Sequence, residues 1–307
     1  MDAQLEKLNL FGGDDSKPNS TIKRSIPINE MTFEEKKAKV AKFNLTSDTF
    51  FCIIMNGIQE CQEFIDVILG DGFKVISVTV QKSVRNLDKH SIIMDVLALT
   101  SEGKRVNIEM QMADNDDHVK RVRYYQACSD ANELPKGSKY NEISDYYSIY
   151  ITNNDFIGLG DARYDVNRMI VGKYTGKVES LPNGTYEVYI NLENKEKTDG
   201  MFKDLLDFIV NSDPNKYRNE FNSLANKVRF YKENQEGVDY MCSILKEERA
   251  EGRAEGRAEE RENGIVNSFK IAYKYSSSVE RSISDISLQY NISTDKVIEI
   301  LKKHGVL

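Results

Sequence analysis

Two segments carry the residues best placed for chemistry. The run Ile92–Thr100 (IIMDVLALT) is apolar except for Asp95, and Arg105–Met112 (RVNIEMQM) carries Glu109 and Gln111. A carboxylate inside an otherwise apolar strand is costly unless something compensates it, such as a nearby Lys or Arg or a bound cation. Strand periodicity points Val106, Ile108, Met110 and Met112 one way and Asn107, Glu109 and Gln111 the other, the second set reading as a wet face. Between the runs, Ser101-Glu102-Gly103-Lys104 reads as a hairpin turn. A three-residue loop there pairs Asp95 with Glu109 or with Gln111, whereas a two-residue loop pairs it with Met110. Directly paired residues share a face with Cβ atoms about 5 Å apart. In the register that joins Asp95 to Glu109, two carboxylates converge as a site for one divalent cation. Mg²⁺ typically takes one or two protein carboxylates and fills its remaining positions with water and phosphate oxygens.

The elements that must hold these residues can be read from their periodicity. Thr32 and Glu35 form a capping-box pattern that starts a short helix running to Lys42. Thr46–Leu69 repeats apolar residues at helical spacing and ends at Gly70-Asp71-Gly72. Strand-like runs follow at Phe73–Val80, Ile92–Thr100 and Arg105–Met112, then a helix over His118–Asn132 and a strand over Tyr146–Ile151. The order is helix, three strands, helix, strand. Asp117 is the predicted N-cap of the helix that begins at His118. Residues 155–245 add a strand at Glu187–Leu192 and helices over Met201–Val210 and Asn219–Glu236, and read as an extension packed on the core.

Composition narrows the function classes. The 307 residues carry 49 acidic against 42 basic side chains, a net charge of -7, with 40% hydrophobic residues. That balance argues against a passive nucleic-acid coat, which would be basic throughout, but leaves room for a local basic groove. Four scattered cysteines without a C-x-x-C pair, and three histidines (His90, His118, His304) far apart in sequence, disfavour a disulfide framework, a zinc ribbon and a multi-histidine metal site. No apolar run is long enough to cross a membrane and the N-terminus lacks signal-peptide character, so the expectation is a cytoplasmic protein with no membrane partner. A phosphate-binding G-x-x-x-x-G-K-[ST] loop is absent.

The element order, with Asp on the second strand and E-x-Q on the third, resembles the restriction-endonuclease-like core of the PD-(D/E)XK nucleases. Within them it looks most like the bacterial recombination-promoting nucleases, or PD-(D/E)XK nuclease family transposases. The resemblance rests on Ile93-Met94-Asp95-Val96, Val106–Gln111 and Arg121-Val122-Arg123-Tyr124-Tyr125, with later blocks at Tyr150–Asp155 and Lys227–Glu233. It covers about residues 45–245. It implies an α/β (α+β) fold, a mixed sheet flanked by helices, and metal-dependent cleavage of DNA phosphodiester bonds with Mg²⁺ or Mn²⁺. By position, Asp95 and Glu109 would hold the cation, and Gln111 stands where the wider superfamily has Lys. Gln can hydrogen-bond but takes no proton at neutral pH. Arg121, Tyr124 and Tyr125 fall on one helix face. Arg121 is expected at phosphate, Tyr124 positioning the strand and Tyr125 in the core, with Lys120 and Arg123 adding charge for a DNA backbone. The superfamily often adds a carboxylate from the first core helix, for which Glu60 and Glu63 are the candidates. Two other readings compete: a catalytically weak DNA-binding or regulatory module on the same fold, and an interaction protein acting through its C-terminus.

The organisation expected is a flexible tail (1–30), a nuclease-like core (31–154), the extension (155–245), a charged helical stalk (246–275) and a small helical hairpin (276–307) with a helix-turn-helix-like pattern. The stalk repeats Arg-Ala-Glu-Gly at 249–252 and 253–256. A four-residue period draws Glu251, Glu255 and Glu259 into one stripe and Arg253 and Arg257 into another about 200° away. Opposite charges at i,i+3 or i,i+4 are missing until Arg257–Glu260, so such a helix is either simply solvated or gains by meeting a second copy.

Overall fold

The computed structural model describes residues 27–84, 91–113, 116–217 and 219–307; most of the N-terminal tail, His90 and Asp114 lie outside the described residues. Helix α1 (Phe33–Val40) starts at the expected capping box, with the Glu35 amide on Thr32 Oγ1 at 3.3 Å and the Thr32 amide on Glu35 Oε2 at 2.8 Å. The helix expected over Thr46–Leu69 is two helices, α2 (Asp48–Met55) and α3 (Ile58–Leu69). Gly57 between them is extended and becomes the N-cap of α3. Apolar spacing alone does not register that break, because both halves bury the same face.

Strands β1 (Val75–Val84), β2 (Ile92–Thr100) and β3 (Arg105–Gln111) form an antiparallel meander. Helix α4 (His118–Glu133) then crosses over to β4 (Tyr146–Thr152), which lies parallel to β3. Parallel neighbours need such a crossover because a tight turn cannot reverse the chain twice. Beyond β4 come β5 (Arg163–Val166), the short pair β6 (Met169–Val171) and β7 (Val178–Ser180), and β8 (Thr185–Asn191). The main sheet runs β1-β2-β3-β4-β8-β5, while β6 and β7 pair only with each other. Residues 155–245 thus complete the same sheet, and α5 (Gly200–Asn211) and α6 (Asn222–Glu233) share its core.

One sheet face, with Val96, Ala98, Val106, Ile108 and Ile149, packs on Phe50, Phe51, Phe64, Phe208 and Leu224 of the helices. On the other face, α4 lays Val122 on Tyr150 and Tyr189, and Cys128 near Leu97 and Tyr146. Both faces of β3 are therefore covered, and the face expected to be wet is buried: Glu109 is 8% exposed and Asn107 2%. A central strand bordered by a crossover helix has no solvent side.

Two of the later blocks do structural work. Asp155 gathers the loop that follows β4, accepting from the Gly158 and Gly160 amides, the Tyr164 hydroxyl and Asn194 Nδ2. Lys232, buried in α6, donates to the carbonyls of Ala41 and Ser212, which end α1 and α5. An ammonium suits two helix C-termini, where carbonyls carry partial negative charge. Burial still pushes its pKa down to about 8.

Helix α7 runs unbroken from Gln235 to Ser276. Its start, with Val238, Met241 and Cys242, belongs to the main core. Its end, with Ile265, Val266 and Phe269, packs with α8 (Val279–Tyr290) and α9 (Thr294–Lys303) around a second apolar cluster. The turn between α8 and α9 is made by Asn291 in the left-handed region (φ 51°) and by Ser293, whose side chain accepts from the Lys296 amide.

Candidate active site

The hairpin between β2 and β3 sets the register. The Thr100 amide donates to Lys104 O at 2.9 Å and the Gly103 amide to Thr100 O at 3.0 Å, closing a three-residue loop. Gly103 takes φ +79°, a conformation that favours glycine. Pairing then runs from Leu99↔Arg105 to Val96↔Ile108 and stops. Asp95 and Glu109 follow, one on each strand, and their side chains fill the gap in the ladder. The Asp95 amide donates to Glu109 Oε1 at 3.3 Å, and the Met110 amide donates to Asp95 Oδ2 at 2.9 Å. Each carboxylate takes a backbone donor from the opposite strand.

A second irregularity meets the first. On the far side of β2, pairing is regular at Val80↔Val96 and at Lys82↔Met94, and Gln81 between them has φ 49°. Val80 and Val96 face the main core, whereas Val84, Ile92 and Met94 face α4. The meander therefore turns its faces over at Asp95. A non-glycine residue in the left-handed region is uncommon, and such strain concentrates at functional sites.

The electrostatics follow from burial. The Asp95 carboxyl is pushed up to about 6, chiefly by desolvation; Asp48 raises it further, while the Met110 amide and Arg121 pull it down. Glu109 is raised well above the ordinary carboxylate range, by burial first and then by the charge of Asp95; hydrogen bonds from Asn107 and the Asp95 amide oppose this. Burial, with Asp95, Asp48 and Glu109 behind it, also lifts the Cys52 thiol to about 12. Among the described residues, no Lys or Arg lies within ion-pair distance of either carboxylate, so neutralisation by a basic neighbour does not account for the pair. Nor do three or more His, Cys, Asp or Glu side chains come together as a metal cage among those residues. A buried and a half-buried carboxylate with no ion-paired basic partner, Arg121 acting only from a distance, fit a cation that keeps most of its water, as Mg²⁺ does.

Gln111 lies two residues beyond Glu109, and Arg121 of α4 donates to its Oε1 at 2.8 Å. The same guanidinium pairs with Asp117 at 3.2 Å. Asp117 occupies the N-cap position of α4 but makes no capping hydrogen bond, its carboxylate being turned to Arg121 instead. Lys120, Arg121, Arg123 and Tyr124 line an open groove of about 570 Å³ along α4, together with Asp117 and Tyr125. Lys120 and Arg123 are exposed, and Tyr124 and Tyr125 are both half-buried against the cluster around Met94 and Tyr146. The division of one tyrosine for the groove and one for the core is thus not observed. His118 is buried, its Nδ1 3.1 Å from the Tyr150 hydroxyl and its ring against Phe156.

Glu60 and Glu63 point elsewhere. Glu60 faces Lys227 at 3.8 Å, and Glu63 accepts from the Ser223 and Leu224 amides at 2.8 and 3.0 Å, capping the start of α6. Both fasten α3 to α6. The carboxylate whose charge reaches Asp95 is Asp48, in the first turn of α2. The continuous helical spacing over Thr46–Leu69 hides it, because Asp48 marks a helix start only once α2 is separate from α3. Ser47-Asp48 before the apolar run was the available signal.

The described residues thus hold an Asp and a Glu at an opened antiparallel ladder, flanked by a Gln and a helix-borne Arg. A family model, PD-(D/E)XK nuclease family transposase, matches residues 61–220, just over half of the chain. The chain belongs to that family. Its six-stranded mixed sheet, flanked by helices and extended by C-terminal helices, is consistent with the restriction-endonuclease-like fold of the PD-(D/E)XK nucleases, and membership supports a nuclease-like role. The matched span includes Asp95, Glu109, Gln111 and the whole of α4; Glu60 falls just outside it and Glu63 within. No curated protein and no solved structure matches the chain. No described helix is long and apolar enough to cross a membrane.

Proposed function

We propose that this PD-(D/E)XK family protein is a divalent-metal-dependent deoxyribonuclease, with DNA as its substrate and Asp95 and Glu109 as the protein ligands of Mg²⁺ or Mn²⁺. One observation carries the reading: a buried Glu109 and a half-buried Asp95 face each other across the opened ladder, with no basic side chain in an ion pair with either. When bound, the cation would polarise the phosphoryl oxygen and lower the pKa of an attacking water. The chain's own residues supply the rest. The Met110 and Asp95 amides orient the carboxylates, and Arg121 holds Gln111 at their edge. Plasmid cleavage with Mg²⁺, with EDTA and with Asp95→Ala tests the proposal. Cleavage that survives chelation or the substitution would defeat it.

Gln111 has a distinct expected behaviour. Restoring the superfamily lysine by Gln111→Lys places an ammonium where Arg121 now donates at 2.8 Å. Like charges at such range repel by about 1–4 kcal/mol, depending on solvent access. Cleavage should fall about tenfold or more, and Gln111→Lys combined with Arg121→Gln should recover most of it. Equal activities of the single and double variants would show that the Arg121 contact does not matter.

The groove along α4 makes a separate prediction. Lys120→Ala with Arg123→Ala should weaken duplex binding regardless of sequence and reduce the slope of log affinity against log salt by about 2. Fluorescence anisotropy across a salt series measures it. An unchanged slope would take both residues off the phosphate track.

A further inference from the structure

Every residue of α7 from 246 to 261 is exposed, between the turn buried in the main core and the turn buried in the C-terminal cluster. A helix that is polar all round is normally supported by opposite charges one turn apart. This one does the reverse. Arg249, Arg253 and Arg257 follow one another at i+4, as do Glu251, Glu255 and Glu259, so like charges stand one turn apart along each stripe. Among the described residues, none of these six makes an ion pair within the chain. Gly252 and Gly256 weaken the helix further, and neither is required by its own chain: a Cβ at either position meets nothing within 4 Å.

The helical angles give these features a common geometry. At 100° per residue, Gly252 has Glu251 and Glu255 on one flank and Arg249 and Arg253 on the other. Gly256 repeats the arrangement one turn on, with Glu255 and Glu259 against Arg253 and Arg257. When two copies lie parallel across a two-fold axis, the left flank of each meets the right flank of its partner. Glu then faces Arg on both sides of the contact. An antiparallel pair sets Glu against Glu and Arg against Arg. Glycine at the centre lets the backbones approach closely enough for these side chains to reach across.

We infer that the exposed stretch of α7 is a self-association surface, on which a second copy of the chain docks in parallel through the Gly252–Gly256 face. The inference does not depend on nuclease activity. The occupant is a second copy because the complementary charges come from one sequence and cancel only when it meets itself in this orientation.

The test uses the full chain. Light scattering at low ionic strength should give twice the 35.1 kDa chain mass, falling towards one chain as salt approaches about 1 M and screening shortens to ~3 Å. Two charge-reversed chains, Glu251→Arg/Glu255→Arg and Arg253→Glu/Arg257→Glu, should each be monomeric alone and associate when mixed. All four native cysteines are buried, so a single added thiol reports geometry. Gly252→Cys should cross-link to itself on mild oxidation. Ala254→Cys, about 160° round the helix, should not. A chain of monomeric mass at low salt overturns the inference, as does failure of the reversed chains to mix. Cross-linking through Ala254→Cys but not Gly252→Cys overturns the assigned face. Association that appears only when duplex DNA is added, and is lost in Arg253→Glu/Arg257→Glu, would make the stretch a nucleic-acid surface instead.

Discussion

Asp95→Asn is expected to abolish metal-dependent cleavage while making the metal-free protein more stable at neutral pH. The first effect follows from losing one of two proposed ligands. Cation stabilisation of the transferring phosphoryl group amounts to several kcal/mol, so the rate should fall about 10³-fold or more. The second follows from burial. Asp95 ionises near 6 in the folded chain against 3.8 for the free side chain, and Glu109 beside it is raised well above its ordinary value. The folded state therefore holds protons that the unfolded state has released, so stability falls as pH rises from about 4 through the folded values. A shift of this size corresponds to at most about 3 kcal/mol, and partial solvent access reduces it. Asparagine keeps an acceptor for the Met110 amide and removes the half-buried charge. At pH 7.5 without divalent ions the variant should melt several degrees above the native chain, and by pH 5 the gap should narrow. Mg²⁺ should raise the melting temperature of the native chain far more than that of the variant. Melting curves that are parallel at both pH values would show that Asp95 is not the strained charge described here.

The sequence made the ladder legible but not the gap in it. Period-two alternation over Arg105–Met112 and the Gly103 turn were enough to narrow the register to a few choices, one of which joins Asp95 to Glu109. Alternation reports which side of a strand a residue takes, not what covers that side. The face of Glu109 looked wet because its residues are polar, yet α4 closes over it. The same blindness explains Glu60 and Glu63. On the helix they are ordinary polar positions, and only the arrival of α6, some 160 residues on, shows that they serve as a cap and an ion pair. Asp48 reaches Asp95 through tertiary placement of α2, which no local spacing records. Long-range contacts between polar residues leave no periodic trace, so the acidic environment of the site exists only in the tertiary fold.

Arg105→Met should cause the largest loss of stability among single substitutions near the site. Arg105 opens β3 and is only 4% exposed. Its guanidinium meets Asp130 at 2.7 Å, Glu133 at 2.5 Å, Ser129 Oγ at 2.8 Å and the Ser144 carbonyl at 2.9 Å, and lies over the Tyr146 ring. It thus ties the first residue of β3 to the last turns of α4 and to the loop entering β4. Removing one partner of a buried ion pair costs about 3–5 kcal/mol when the rest stays buried. Asp130 and Glu133 are partly exposed and can rehydrate, so about 2–3 kcal/mol is expected here. For a chain of this length that lowers the melting temperature by about 3–5 °C. Lysine offers one ammonium in place of the planar fork and should recover less than half of the loss. Arg121 lies more than two helical turns from this anchor, so Arg105→Met, assayed well below its melting point, should still cleave at a rate close to the native chain. A variant that stays folded and metal-binding yet cuts poorly would show that the C-terminal anchor of α4 also sets the position of Arg121 at the site.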